Sequence, residues 1–167
     1  MEKLVTLNID GKTIEVPSTY TIMQAADALG INIPRLCFLK DINENASCRV
    51  CVVEIAGMRS LKNSCSVEVG SILNREGTAT IYTNTPRVRA AVRQALELIA
   101  ANHRFDCWKC PREHNCELLA LLRRYSIDNV CLSLRRTLSL AHAPHGASLD
   151  VSQKRGRWRC PLRHLPT

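Results

Sequence analysis

Near the start of the chain Val5, Leu7 and Ile9 alternate with polar residues, and Ile14 and Val16 resume the alternation beyond Asp10-Gly11. A period of two marks a half-buried strand, and Asp-Gly favours a type I′ turn, so residues 4–16 predict a β-hairpin. Over residues 21–29 the period lengthens. Ile22, Ala25, Ala26 and Leu29 line one helical face, Thr21 and Gln24 have capping-box spacing, and Gly30 suits the position just past a helix end. Pro34 then predicts an irregular loop running through Cys37 to Cys51. Residues 50–55 and 78–83 read as two further strands. Thr85-Pro86 opens a longer helix, with Thr85 as N-cap and Pro86 at its first position. Val88, Val92, Ala95, Leu96 and Ile99 form its apolar stripe, whose ordinary meaning is core packing. That helix delivers the chain to His103, and a short helix over 117–125 follows Cys116. The pattern predicts an α+β fold: a small sheet crossed by a helix, a cysteine-bearing surface loop, then a small helical unit. After Asp128 no period is sustained, and residues 130–167 read as an irregular basic tail.

Composition refines this picture. The chain has 167 residues, enough for one ordinary domain or two small ones. No apolar run reaches the roughly 18 residues of a membrane span. The N-terminal MEKLVTLNID has no apolar signal core, so a cytoplasmic location is expected. Nine cysteines in such a chain point to metal or redox chemistry, and their odd number argues against a closed disulfide set. The net charge of +8 invites a nucleic-acid partner. Its distribution argues otherwise: seven Lys/Arg and one acid, Asp150, fall in residues 131–167, leaving 16 basic and 14 acidic side chains before them.

The cysteines form two constellations. Cys37, Cys48, Cys51 and Cys65 are separated by ten, two and thirteen residues. Three thiols on one loop closed by a later fourth is the ligand logic of a plant-type [2Fe–2S] site, although the first gap is longer than in that pattern. Four thiolates also suit zinc, so spacing alone leaves both metals open. The pair Cys48–Cys51 could in isolation be a redox dithiol. His103, Cys107, Cys110 and Cys116 follow with gaps of three, two and five residues, and His114 is a competing imidazole. A histidine with three thiolates again suits zinc or an iron–sulfur cluster. Trp108, between two of these cysteines, is expected to shield a bound group from water. Cys131 and Cys160 fit no pattern and read as free thiols.

The run PRLCFLKDINENASCRVCVVEI, residues 34–55, resembles the N-terminal [2Fe–2S] domain of multi-cluster iron-only hydrogenases and of the large iron–sulfur subunit of NADH dehydrogenase. TNTPRVR (83–89) and ANHRFDCWKCPREHNCEL (101–118) resemble the adjoining segment of the same proteins. The resemblance covers about residues 3–129. It implies a β-grasp ferredoxin-like domain over residues 1–82 and a histidine-ligated unit over 83–129. It further implies a [2Fe–2S] cluster on Cys37, Cys48, Cys51 and Cys65, and a [4Fe–4S] cluster on His103, Cys107, Cys110 and Cys116. Two ordered motifs in the right succession weigh against zinc. The family has glycine two residues before its second cysteine, where this chain has Ala46; alanine there calls for a negative φ. The further ferredoxin-type sites and catalytic domain of the family have no counterpart, and the tail reads as a truncation or a shifted frame.

The function so implied is electron transfer within an NAD(P)H-linked oxidoreductase of hydrogenase or NADH dehydrogenase type, without catalysis by the chain alone. Its expected partners are a flavin-containing NAD(P)H-oxidising subunit, a hydrogenase catalytic subunit, or both, with no nucleic acid and no membrane span. The competing readings are a zinc-stabilised nucleic-acid-binding module, which would need aromatics interleaved with basic residues, and a non-functional remnant.

Overall fold

Asp10 and Gly11 both take positive φ, 48° and 88°, and fold strand β1 (Leu4–Ile9) back on β2 (Lys12–Pro17) through the expected hairpin turn. A computed structural model describes residues 3–127. The tail 130–167, with Cys131 and Cys160, lies outside the described residues. The chain divides into two compact units, Met1–Leu96 and Glu97–Thr167.

In the first unit Thr21 and Gln24 close both bonds of the capping box, starting helix α1 (Ile22–Ala28) where the sequence placed it. Strands β3 (Val52–Ile55), β4 (Lys62–Asn63) and β5 (Thr78–Tyr82) complete a five-stranded sheet in the order β2-β1-β5-β3-β4. β1 and β5 run parallel, with Leu7 opposite Ala79 and Ile9 opposite Ile81; the other pairs are antiparallel. A hairpin, a helix and a parallel central pairing give the β-grasp arrangement. Leu7, Ile9, Ile22, Met23, Val53 and Ile81 are fully buried in its core. Each such side chain contributes about 1.5–3 kcal/mol through apolar area removed from water. The first turn of α1 also donates backward: Met23 N to Ser64 O at 2.9 Å and Ile22 N to Val67 O at 3.1 Å. The helix start is thus tied to the backbone on both sides of Cys65.

Helix α2 (Pro86–Ala101) begins as predicted, with Thr85 Oγ1 accepting from Val88 N at 3.2 Å. The same hydroxyl donates to Glu54 Oε2 at 2.6 Å, and Arg87 reaches Glu54 Oε1 at 3.5 Å, so the first turn is fastened to β3. Of the predicted apolar stripe, Val88, Val92 and Leu96 are buried while Ala95 and Ile99 are only half-buried; Ala100, outside the stripe, is buried as well.

In the second unit two single 3-10 turns, Cys107–Lys109 and Glu113–Asn115, precede helix α3 (Glu117–Arg124), where Leu119 and Leu122 are buried. Among the described residues no helix is long and apolar enough to cross a membrane.

Candidate functional site

The loop from Cys37 to Cys51 is braced by its own backbone. Leu39 and Asn43 exchange two bonds, Leu39 N to Asn43 O at 3.0 Å and Asn43 N to Leu39 O at 2.8 Å. The Asn43 side chain turns inward and donates from Nδ2 to Cys37 O at 2.8 Å. Before the loop, Arg35 forms a two-pronged ion pair with Asp27 of α1, both bonds 2.8 Å. Asp41, Ala46 and Arg49 take φ of 63°, 54° and 57°. The negative φ expected for Ala46 is therefore overturned. Loop closure, with Ala46 packed in the core cluster, dictates the left-handed backbone, and an alanine carries about 1–2 kcal/mol of strain there.

Four thiols meet as two pairs. Cys51 and Cys65 are buried, their Sγ atoms 3.2 Å apart. Register places them together: Val52 opposes Asn63, and Ser64 N donates to Cys51 O at 3.0 Å. The Ser64 hydroxyl, itself fully buried, donates to the same carbonyl at 2.8 Å. Cys37 and Cys48 form the other pair, each partly exposed, with their side chains in hydrogen-bonding contact. Burial, reinforced by the Cys51 thiol, pushes the Cys65 thiol up to about 12. Cys37 is also raised, by burial, against backbone N–H donors from Cys48 and Ser47. Cys48 falls below the ordinary thiol value: burial raises it, but N–H groups of Val50, Cys37 and Leu36 outweigh that by favouring the thiolate. Donors aimed at these sulfurs suit a bound group that gains negative charge. Among the described residues no three His, Cys, Asp or Glu side chains converge as a single ion requires. Paired thiols instead suit a binuclear group with two ligands on each metal.

The second constellation is local. His103 follows the last turn of α2 and is exposed; its Nδ1 accepts from Phe105 N at 3.1 Å. Phe105 takes φ of 55° and packs its ring 4.8 Å from the imidazole. Cys107 and Cys110 flank one 3-10 turn, joined by Cys110 N to Cys107 O at 3.0 Å. Cys116 is the N-cap of α3, its Sγ accepting from Leu119 N at 3.4 Å. His114, the competing imidazole, lies on a turn of its own. Trp108 is 71% exposed, with the Lys109 ammonium over its ring, so the shielding expected of it is not seen. The turn Cys107–Lys109 points the indole outward. Asn43 and Ser64 escape a reading of the sequence, because their partners are main-chain carbonyls that no side-chain motif announces.

Residues 2–73 match a family described as a 2Fe-2S iron-sulfur cluster binding domain, and residues 93–130 match the NADH-ubiquinone oxidoreductase-G iron-sulfur binding region. The NADP-reducing hydrogenase subunit HndD of Solidesulfovibrio fructosivorans is 43% identical over 129 residues, covering 74% of this chain and 21% of that protein. The NADH-ubiquinone oxidoreductase 75 kDa subunit of Reclinomonas americana is 34% identical over 125 residues, covering 75% of this chain and 17% of that protein. A chain of an NAD+-reducing [NiFe]-hydrogenase structure superposes with a TM-score of 0.65 at 25% identity, covering 76% of this chain and 51% of that one. The chain thus spans only about a fifth of the length of these two curated relatives.

Proposed function

We propose a ligand assignment and a place in a larger assembly for a chain whose residues 2–73 belong to the [2Fe–2S] cluster-binding family and whose residues 93–130 belong to the NADH-ubiquinone oxidoreductase-G iron–sulfur binding family. The chain is an iron–sulfur electron-transfer protein carrying one cluster of each type, [2Fe–2S] and [4Fe–4S]. In the assignment Cys37, Cys48, Cys51 and Cys65 hold the [2Fe–2S] cluster, Cys37 with Cys48 on one iron and Cys51 with Cys65 on the other. His103, Cys107, Cys110 and Cys116 hold the [4Fe–4S] cluster. A domain division near residues 82–83, like the division of the compact units between Leu96 and Glu97, leaves each ligand set whole on one side.

Such clusters take up and release single electrons with no change in covalent bonds. The protein's part is ligation and field. Backbone N–H groups around Cys37 and Cys48 stabilise negative charge on their sulfurs, while Cys51 and Cys65 close the inner side against water. At the second site His103 would supply one imidazole nitrogen; a cluster held through Nε2 would leave the ring proton on Nδ1, in competition with the Phe105 N–H that Nδ1 now accepts.

In the assembly, electrons arrive from a flavin-containing subunit that oxidises NAD(P)H and leave towards a hydrogenase or quinone-linked component. The pairing of the four buried and half-buried thiols carries the reading. Reconstitution of the full chain with iron and sulfide should give about six irons per chain, the sum of the two cluster types. Cys65→Ala should leave about four and Cys110→Ala about two by the same stoichiometry. A colourless protein with stoichiometric zinc would overturn the assignment.

A further inference from the structure

The Asn43 side chain lies inside the first cysteine loop and holds the backbone of its first cysteine. Its Nδ2 donates to the Cys37 carbonyl at 2.8 Å, while its main chain pairs twice with Leu39. A carbonyl acceptor requires the amide nitrogen, so the side chain's orientation is fixed by chemistry. The ten residues between Cys37 and Cys48 are therefore not a slack tether. Residues 39–43 form a miniature hairpin folded back on the first cysteine, and Asn43 is its latch.

The other pair has a different arrangement. The Cys51 carbonyl receives two donors from Ser64, its N–H at 3.0 Å and its hydroxyl at 2.8 Å. Removing that hydroxyl leaves the backbone donor in place. Asn43 reaches its carbonyl with a side chain alone.

We infer that Asn43 is a positioning residue for the [2Fe–2S] cluster, fixing the Cys37 peptide through its carbonyl. The inference rests on the ligand assignment proposed above. With the amide gone, the Cys37 peptide is released, and its negative carbonyl end can turn towards the cluster. The amide's own positive N–H end is also lost. Both changes disfavour the added electron, so the reduction potential falls.

The full chain, reconstituted with iron and sulfide, tests this through three variants. Asn43→Leu keeps the branched side-chain shape, adds no charge and removes the donor. Asn43→Gln keeps an amide on a longer stem. Asn74→Ala removes a side-chain contact of another loop, the 3.0 Å bond that Thr78 N donates to Asn74 Oδ1. Asn43→Leu should lower the [2Fe–2S] midpoint potential, change the EPR g-values of the reduced cluster, and lose iron to a chelator about fivefold faster, the equivalent of one hydrogen bond. Asn43→Gln should restore most of the potential, and Asn74→Ala should leave it unchanged. If Asn43→Leu keeps the wild-type potential and g-values, the inference is overturned. It is equally overturned if Asn74→Ala or Asn43→Gln shifts the potential as far as Asn43→Leu does. If the unaltered chain assembles no [2Fe–2S] cluster, the ligand assignment falls and this inference falls with it.

Discussion

Cys51 and Cys65 are each 1% exposed and sit where two strands and a helix start have already placed them, whereas His103 is exposed and its three cysteines occupy consecutive short turns. At the first site the proposed ligands Cys51 and Cys65 are brought together by longer-range contacts: β3 against β4, α1 against the Ser64 and Val67 carbonyls. At the second, each donor is positioned by neighbours a few residues away, as in Cys110 N to Cys107 O. The first site is a product of the fold, so its cluster adds stability to a sheet that stands on its own core. At the second, the proposed ligands sit on short local turns, so metal binding there would be coupled to the ordering of the segment.

That contrast is broken or upheld most directly by removing the iron. In hydrogen exchange, chelation should cost amides 103–116 nearly all their protection while β1 and β5 stay protected. Equal loss in both regions would show that the sheet also depends on its cluster. Next in size, Leu7→Ala should destabilise the first unit by about 2–5 kcal/mol, read by denaturant unfolding, because the cavity opens in a fully buried position. Iron at the second site should be retained in this variant; its loss would mean that the second segment borrows the sheet's stability. The smallest effect concerns Cys116, which caps α3 as well as serving as a proposed ligand. Cys116→Ala should lower the stability of α3 by about 1 kcal/mol more than Cys116→Ser, since serine keeps a capping acceptor. Both variants should forfeit the second cluster's iron alike. Equal helicity in the two would remove the capping role.

The same contrast governs what can be read from the chain. The β1–β2 hairpin is legible because alternation and Asp10-Gly11 act within a few residues, and α1 because Thr21 and Gln24 cap it locally. β4 is not, since Lys62–Asn63 is too short to show a period and exists only by pairing with β3. The cysteine spacing announces two metal constellations, but the grouping of Cys37 with Cys48 and Cys51 with Cys65 depends on loop closure and strand register. Ala46 shows the limit most clearly. Its own preference favours negative φ, yet the loop around it imposes 54°. Trp108 departs in the other direction: an indole among cysteines suggests shielding, but a single 3-10 turn points it at solvent.

The parallel pairing of β1 with β5 also orders events during synthesis. β1 leaves the ribosome first, yet one of its edges has no partner until residues 78–82 have emerged. All four cysteines of the first site are made before that closing strand. During synthesis there is thus a stage at which the four thiols are complete but the sheet is still open, and β5 seals the sheet only afterwards.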